Sequence, residues 1–245
     1  MKISYGVTML EITTAIMGAP TTICPVLLKD QDNCLLVDTG YPGKTSLQLL
    51  THSLTESGVS PAALTGVILT HQDLDHIGGL PGLRAQNDAL KVWAHTLEKP
   101  YVEGEKRLVK ISKDITDGLN QMPEHIKKAL MHVFENPPTS AVNETLADGE
   151  VLPICGGITV IHTPGHTPGH ICLYLSDSKT LIAGDALTAK DGTLFGPVPE
   201  HATDIVQSRE SLKKLLSYDI ERVVCYHGGL TKCGVERIEE IVKAE

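Results

Sequence analysis

Short apolar runs that stop at His or Asp beside glycine recur along this chain. Gly66-Val67-Ile68-Leu69-Thr70 precedes His71, and Ile158 to Ile161 precedes His162. Thr180 to Ala183 leads to Gly184-Asp185, and Arg222 to Tyr226 leads to His227. Apolar runs this short, bounded by turn residues, read as buried strands. Residues 3–17 and 22–29 read as opening strands, and Cys34 to Val37 as a strand running into a turn at Asp38. Residues 44–57 read as a helix, with Leu47, Leu50 and Leu54 on one face and Gly58 ending it. A short helix is expected at 81–89, strands at 91–94 and 171–175, and surface helices at 203–217 and 231–243. Ile205, Leu212, Leu215 and Leu216 give the helix at 203–217 its apolar face. The whole, residues 1–245, reads as one domain.

The polar segment from about 97 to 145 breaks this rhythm and reads as a helical insertion, with helices near 103–118 and 123–135. Such an insertion can form a lid or one wall of a cleft, and Tyr101, Met122, Met131 and Phe134 are its apolar residues. Apolar residues at helical spacing more often pack an insertion onto the core. The loop from Gly192 to His201, with Phe195, is a second candidate wall.

Composition narrows the function classes. The chain has 245 residues, 41% of them hydrophobic, enough for one large core. No apolar run approaches the roughly 18 residues of a membrane span, and the N-terminus lacks the pattern of a secretory signal. The six cysteines are scattered, so free thiols in a reducing cytoplasm are expected. Cys225, close to His227 in a buried strand, is expected to pack rather than to ligate. A net charge of −9 argues against binding a phosphate backbone, so no nucleic-acid partner is expected. An acidic surface of this kind is compatible with a homodimer.

The candidate chemistry lies at the strand ends. In Thr70-His71-Gln72-Asp73-Leu74-Asp75-His76-Ile77-Gly78-Gly79, alternate side chains of an extended segment put His71, Asp73 and Asp75 on one face. His76 joins from the loop that follows. Imidazole and carboxylate are ligands for divalent cations of borderline or hard character. The run His162-Thr163-Pro164-Gly165-His166-Thr167-Pro168-Gly169-His170, Asp185 and His227 likewise follow apolar runs. Strand ends converging on one rim are how layered folds build sites. His170 is a candidate for orienting a ligand, and His201 for reaching the cleft. His52, His95, His125 and His132 lack ligand companions and read as surface or packing residues.

With these motifs, in this order over nearly its whole length, the chain resembles the metallo-β-lactamase-fold superfamily. The resemblance implies an α/β fold, a four-layer αββα sandwich. It places His71, Asp73, Asp75 and His76 on the HxHxDH signature, with Asp73 where the common motif has its second histidine. One metal would be held by His71, Asp73 and His166, a second by Asp75, His76 and His227, and Asp185 would bridge them. Val37-Asp38-Thr39-Gly40 would match an early acidic turn that supports the site. Flavodiiron proteins of the same superfamily carry a carboxylate at the Asp73 position and hold iron. Two divalent metal ions are therefore expected, zinc first, with iron or manganese as alternatives.

The chemistry implied is hydrolysis of a small-molecule substrate by a hydroxide shared between two metals. A small ester, thioester or lactone is the expected substrate class, with Asp75 and Asp185 as catalytic carboxylates. A phosphodiesterase on the same site and a diiron redox protein are the alternatives. A C-terminal helical domain like that of hydroxyacylglutathione hydrolases is not evident, so glutathione thioesters are not favoured.

Overall fold

Strands that are apolar on both faces must be covered on both, and here Cys34–Val37, Gly66–Leu69, Ile171–Leu175 and Thr180–Gly184 are buried at every position. A computed structural model shows how the cover is supplied; it describes residues 1–16, 19–111, 119 and 123–244. The strands in chain order are β1 (Lys2–Ser4), β2 (Val7–Met9), β3 (Ile12–Ile16), β4 (Ala19–Ile23), β5 (Val26–Lys29), β6 (Cys34–Val37), β7 (Gly66–Leu69), β8 (Lys91–His95) and β9 (Glu144–Leu146). They continue as β10 (Val151–Leu152), β11 (Ile158–His162), β12 (Ile171–Leu175), β13 (Thr180–Gly184), β14 (Thr188–Lys190), β15 (Thr193–Phe195), β16 (Arg222–Cys225) and β17 (Gly229–Thr231). The α-helices are α1 (Lys44–Glu56), α2 (Leu74–Ile77), α3 (Leu80–Arg84), α4 (Lys99–Val102), α5 (Glu124–Glu135), α6 (Ile205–Leu212) and α7 (Val235–Ala244).

One sheet runs β1-β2-β5-β6-β7-β8-β9, parallel from β6 onward. The other runs β10-β11-β12-β13-β16-β17, with β13 and β16 parallel. Alternation along the strands sorts their side chains into separate cores. Val26, Leu28, Leu35, Val37 and Ile68 from the first sheet meet Ile158, Val160, Leu173, Ile182 and Val224 from the second. On the outer face of the first sheet, Leu36, Val67, Leu69 and Val92 pack with Leu50, Leu54, Leu80 and Leu83 of α1 and α3. On the outer face of the second, Cys172, Leu181, Val223 and Cys225 pack with Leu212 of α6 and with Ile238 and Ile241 of α7. Helices, sheet, sheet and helices therefore succeed one another, the expected α/β sandwich.

Several elements differ from the sequence reading. The opening stretch 3–17 divides into three short strands, because a turn at Tyr5-Gly6 and a break in pairing at Leu10-Glu11 interrupt it. Residues 81–89 shorten to α3, and 203–217 is α6 followed by a 3-10 turn at Lys213–Ser217. In place of one helix over 231–243, β17 ends at Thr231 and α7 starts at Val235. The hairpin β14–β15 and strands β9 and β10 are not foreseen, since runs of two or three residues carry no readable alternation.

Segment 97–145 connects two parallel neighbours in the first sheet, since β9 pairs with β8 at its far end. Tyr101 and Phe134 are partly buried and pack against the core under it, along with Val102, Leu108 and Ile111. The expected helix at 103–118 is absent from 103–111, which forms turns after α4. Its remainder and Met122 lie outside the described residues. Helix α5 matches the one expected at 123–135.

Candidate metal centre

The loops after β6, β7, β13 and β16, with the turn between β11 and β12, meet in a cleft of about 440 Å³. Its lining includes Tyr41, Asp73, Asp75, Val109, Lys110, His166, Asp185, His201 and His227. All seven expected ligands gather there, in two adjoining groups: His71, Asp73, His166 and Asp185, and Asp75, His76 and His227. Strand-like alternation accounts for His71 with Asp73 but not for Asp75. The chain leaves the extended conformation after Asp73 and enters α2, so Asp75 and His76 lie on a helical turn that swings them to the second group.

Within the first group, Asp73 Oδ2 lies 3.0 Å from His166 Nε2 and 3.2 Å from His71 Nε2. Within the second, Asp75 Oδ2 lies 3.1 Å from His227 Nε2 and 3.9 Å from His76 Nε2. Asp185 faces both groups: Oδ2 is 3.4 Å from His166 and 3.5 Å from His227, while Oδ1 is 3.5 Å from His76. Four donors set tetrahedrally about one zinc stand roughly 3.3 Å apart, so these spacings suit shared cations.

Supporting contacts aim the imidazoles. Asp38, at φ 62, accepts from His76 Nδ1, from Thr70 Oγ1 and from the Thr70 amide, each at 2.8 Å. Thr70 Oγ1 in turn accepts from His71 Nδ1 at 3.0 Å. With both Nδ1 atoms donating, each ring is left with Nε2 for a ligand. His71 Nε2, His76 Nε2 and Asp185 Oδ1 are buried and have no hydrogen-bond partner among the described residues. Buried polar atoms are normally paired, and a cation is the partner these donor types fit.

Burial and neighbouring charge set the ionisation of the group. Burial, helped by the charge of His76, pushes the His71 imidazole down to about 4. Burial opposes charge on His76 too, but Asp38, Asp185 and Asp75 outweigh it and hold it well above the usual range. Burial would raise the Asp185 carboxyl, yet His76, His227 and His166 hold it well below its usual range. Asp73 is held low in the same way by His71, His166 and Lys110.

Other positions bear on the site without being expected ligands. His170 Nε2 accepts the Asp185 amide at 3.0 Å while its Nδ1 contacts Thr163 Oγ1, so it fixes the turn that presents Asp185. Gly184 there has φ +51, and a Cβ would come within 2.7 Å of that imidazole. Tyr226 borders the site: its ring lies 3.8 Å from His76 and its hydroxyl donates to the Asp75 carbonyl. His162 turns away, stacking on His95. Cys225 packs among the helices of the second sheet, and all six cysteines are free. Phe195 is exposed on β15 and does not line the cleft, whereas Glu200 to Thr203 do. Lys110, Gln72 and Glu98 are unforeseen in the sequence; all three contact the ligand loops.

A layered α/β fold whose strand ends gather histidines and aspartates in a cleft defines the class: a metal-binding hydrolase. A family model for the metallo-beta-lactamase superfamily matches residues 25–227, and the chain belongs to that superfamily as one of its metallo-hydrolases. It is 30% identical over 210 residues to the probable metallo-hydrolase YflN of Bacillus subtilis, covering 79% of this chain and 75% of that protein. It is 29% identical over 202 residues to the hydroxyacylglutathione hydrolase of an Enterobacter species, covering 82% of this chain but only 59% of that enzyme. Among solved structures, the metallo-beta-lactamase family protein TTHA1429 of Thermus thermophilus shares the fold, with a TM-score of 0.75 at 23% identity over 99% of this chain and 80% of that one. Among the described residues no helix is long and apolar enough to cross a membrane.

Proposed function

We propose that the chain hydrolyses a small ester, thioester or lactone with divalent cation held by the histidines and aspartates of the cleft, zinc before iron or manganese. The observation that carries this reading is the pair of unpartnered buried atoms His76 Nε2 and Asp185 Oδ1, which face each other at 3.5 Å. A bound divalent cation supplies Lewis acidity and brings the ionisation of water toward neutral pH. The chain's own groups do the rest. Asp38 and Thr70 orient His76 and His71; His170 holds the Asp185 turn. Asp75 and Asp185, both held below the usual carboxylate range, stay ionised at neutral pH. In that state they are the groups to accept a proton from attacking water and return it to the leaving group.

A cleft of about 440 Å³ suits a small substrate. Val109 and Tyr41 give it apolar surface, and His201 and Thr203 add polar groups to its lining. Likeness to the Enterobacter hydroxyacylglutathione hydrolase supports a thioester within this class, over the shared part of the two chains.

The test is a panel of lactone, thioester, ester and phosphodiester substrates offered to the metal-loaded protein. Turnover of a carbonyl substrate is expected, lost on chelation. Asp185→Asn and His166→Ala should each lower it by more than about 10²-fold with an unchanged far-ultraviolet spectrum. Turnover of the phosphodiester alone moves the reading to a phosphodiesterase. Full activity in both variants removes the metal-dependent mechanism.

A further inference from the structure

The cleft contains one lysine or arginine among its described lining residues, and it stands inside the first ligand group. Lys110 Nζ lies 2.5 Å from Asp73 Oδ2 and 2.6 Å from His166 Nε2. Both atoms are among the donors that would hold a first cation.

The lysine is carried there by a built arrangement. Its neighbour Val109 donates its amide to Gln72 Oε1 at 2.8 Å, and Gln72 is the residue between His71 and Asp73. Gln72 is fully buried and donates from Nε2 to Glu98 Oε2 at 2.8 Å. Glu98 Oε1 accepts from Thr167 Oγ1 at 2.9 Å and from the Gly169 amide at 2.6 Å, in the turn that bears His166. Leu108 and Ile111, on either side, are buried in the core. One buried amide and one buried carboxylate thus fasten the backbone beside Lys110 to both loops that supply its acceptors.

We propose that the Lys110 ammonium is the resident cation of the first group, so that the chain holds a single divalent ion, between Asp75, His76, His227 and Asp185. This rests on the metal-dependent reading above. An ammonium carries donors only and must be met by acceptors. A carboxylate meets it with charge as well as lone pairs, which gives a physical reason for Asp73 at a position where the common motif has histidine. A divalent ion in this group would need the lone pairs of Asp73 Oδ2 and His166 Nε2 that the ammonium already uses. It would also stand against a like charge at contact distance.

Metal stoichiometry tests this. The full-length protein is stripped with chelator, dialysed against cobalt(II), and assayed for cobalt per chain and for cobalt d–d absorption, as wild type and as Lys110→Met. About one cobalt per chain is expected in the wild type and about two in Lys110→Met, with a stronger and shifted absorption in the variant. Lys110→Ala makes the same comparison if the methionine variant does not fold. Two cobalt ions in the wild type, or one in the folded variants, overturns the inference while leaving the hydrolase reading in place. No cobalt in any form overturns both.

Discussion

At the scale of single residues, the site depends on how each imidazole is held as much as on which residues ligate. Asp38 takes the left-handed backbone that Asp tolerates better than most residues, and from there its carboxylate reaches Thr70 and His76 together. An Asp38→Asn variant keeps the shape but loses the charge that orients and enriches the His76 ring. Metal affinity is expected to fall by about 10–100-fold, read by competition with a chromophoric chelator; equal affinity would leave Asp38 a purely structural role. His71, Asp185 and His227 were legible in the sequence because each follows the end of an apolar run, and the other ligands because they share a motif with such an end. Gln72, Glu98 and Lys110 were not, because their contacts join residues 26 to 71 positions apart and no local period encodes such pairs. Alternation points Tyr226 away from His227, but α2 brings Asp75 round to that side and within reach of its hydroxyl.

Among elements, β8 and β11 belong to different sheets, and their last residues stack. His95 and His162 lie with ring centroids 4.1 Å apart and planes 12° from parallel. Burial, then the charge of His162, pushes His95 down to about 4. The unfolded chain binds a proton there near pH 6.5, whereas the folded chain resists until about 4. Stability from this pair is therefore complete above pH 6.5 and lost as pH falls through that window. In His95→Phe, urea unfolding should lose about 1–2 kcal/mol less between pH 7 and 4.5 than in the wild type; parallel profiles would exclude the stack as an acid-sensitive contact. Long elements such as α1 and α5 were readable from their apolar faces, and buried strands from their runs. Strands β9, β10, β14, β15 and β17 have two or three residues each and are defined by their partners.

Across the molecule, the two sheets supply the site jointly. His71, Asp73, Asp75 and His76 follow strand β7 of the first; His166, Asp185 and His227 come from loops of the second. A cation held between them adds an attachment where the inter-sheet core ends. Ion bound at 100 times its dissociation constant should stabilise the fold by about 2.7 kcal/mol. Thermal melts with and without chelator, at fixed ionic strength, should show a higher midpoint for the loaded protein; identical melts would mean that cation adds nothing to native stability. The layered architecture came from the family resemblance of the ligand motifs, with which the order of strands and helices agreed, but the path of residues 97–145 was not readable. Its polar composition suggested a helical insertion able to wall the cleft, and Val109 and Lys110 do line it, but the return of β9 to the sheet edge carried no local signal.

Glu98 also bears on the order in which the chain can mature during synthesis. Burial raises this carboxyl, and hydrogen bonds from Gln72, Thr167 and Gly169 oppose that rise. Of these partners only Gln72 precedes it in the chain. A ribosome that has delivered the first sheet but not residue 169 presents a carboxylate with most of its native partners still to come, and closing the core over it at that stage is costly. The N-terminal half must wait, open at this corner, for the turn that carries His166. The same turn thus completes the hydrogen bonding of a buried carboxyl and delivers one member of the ligand set.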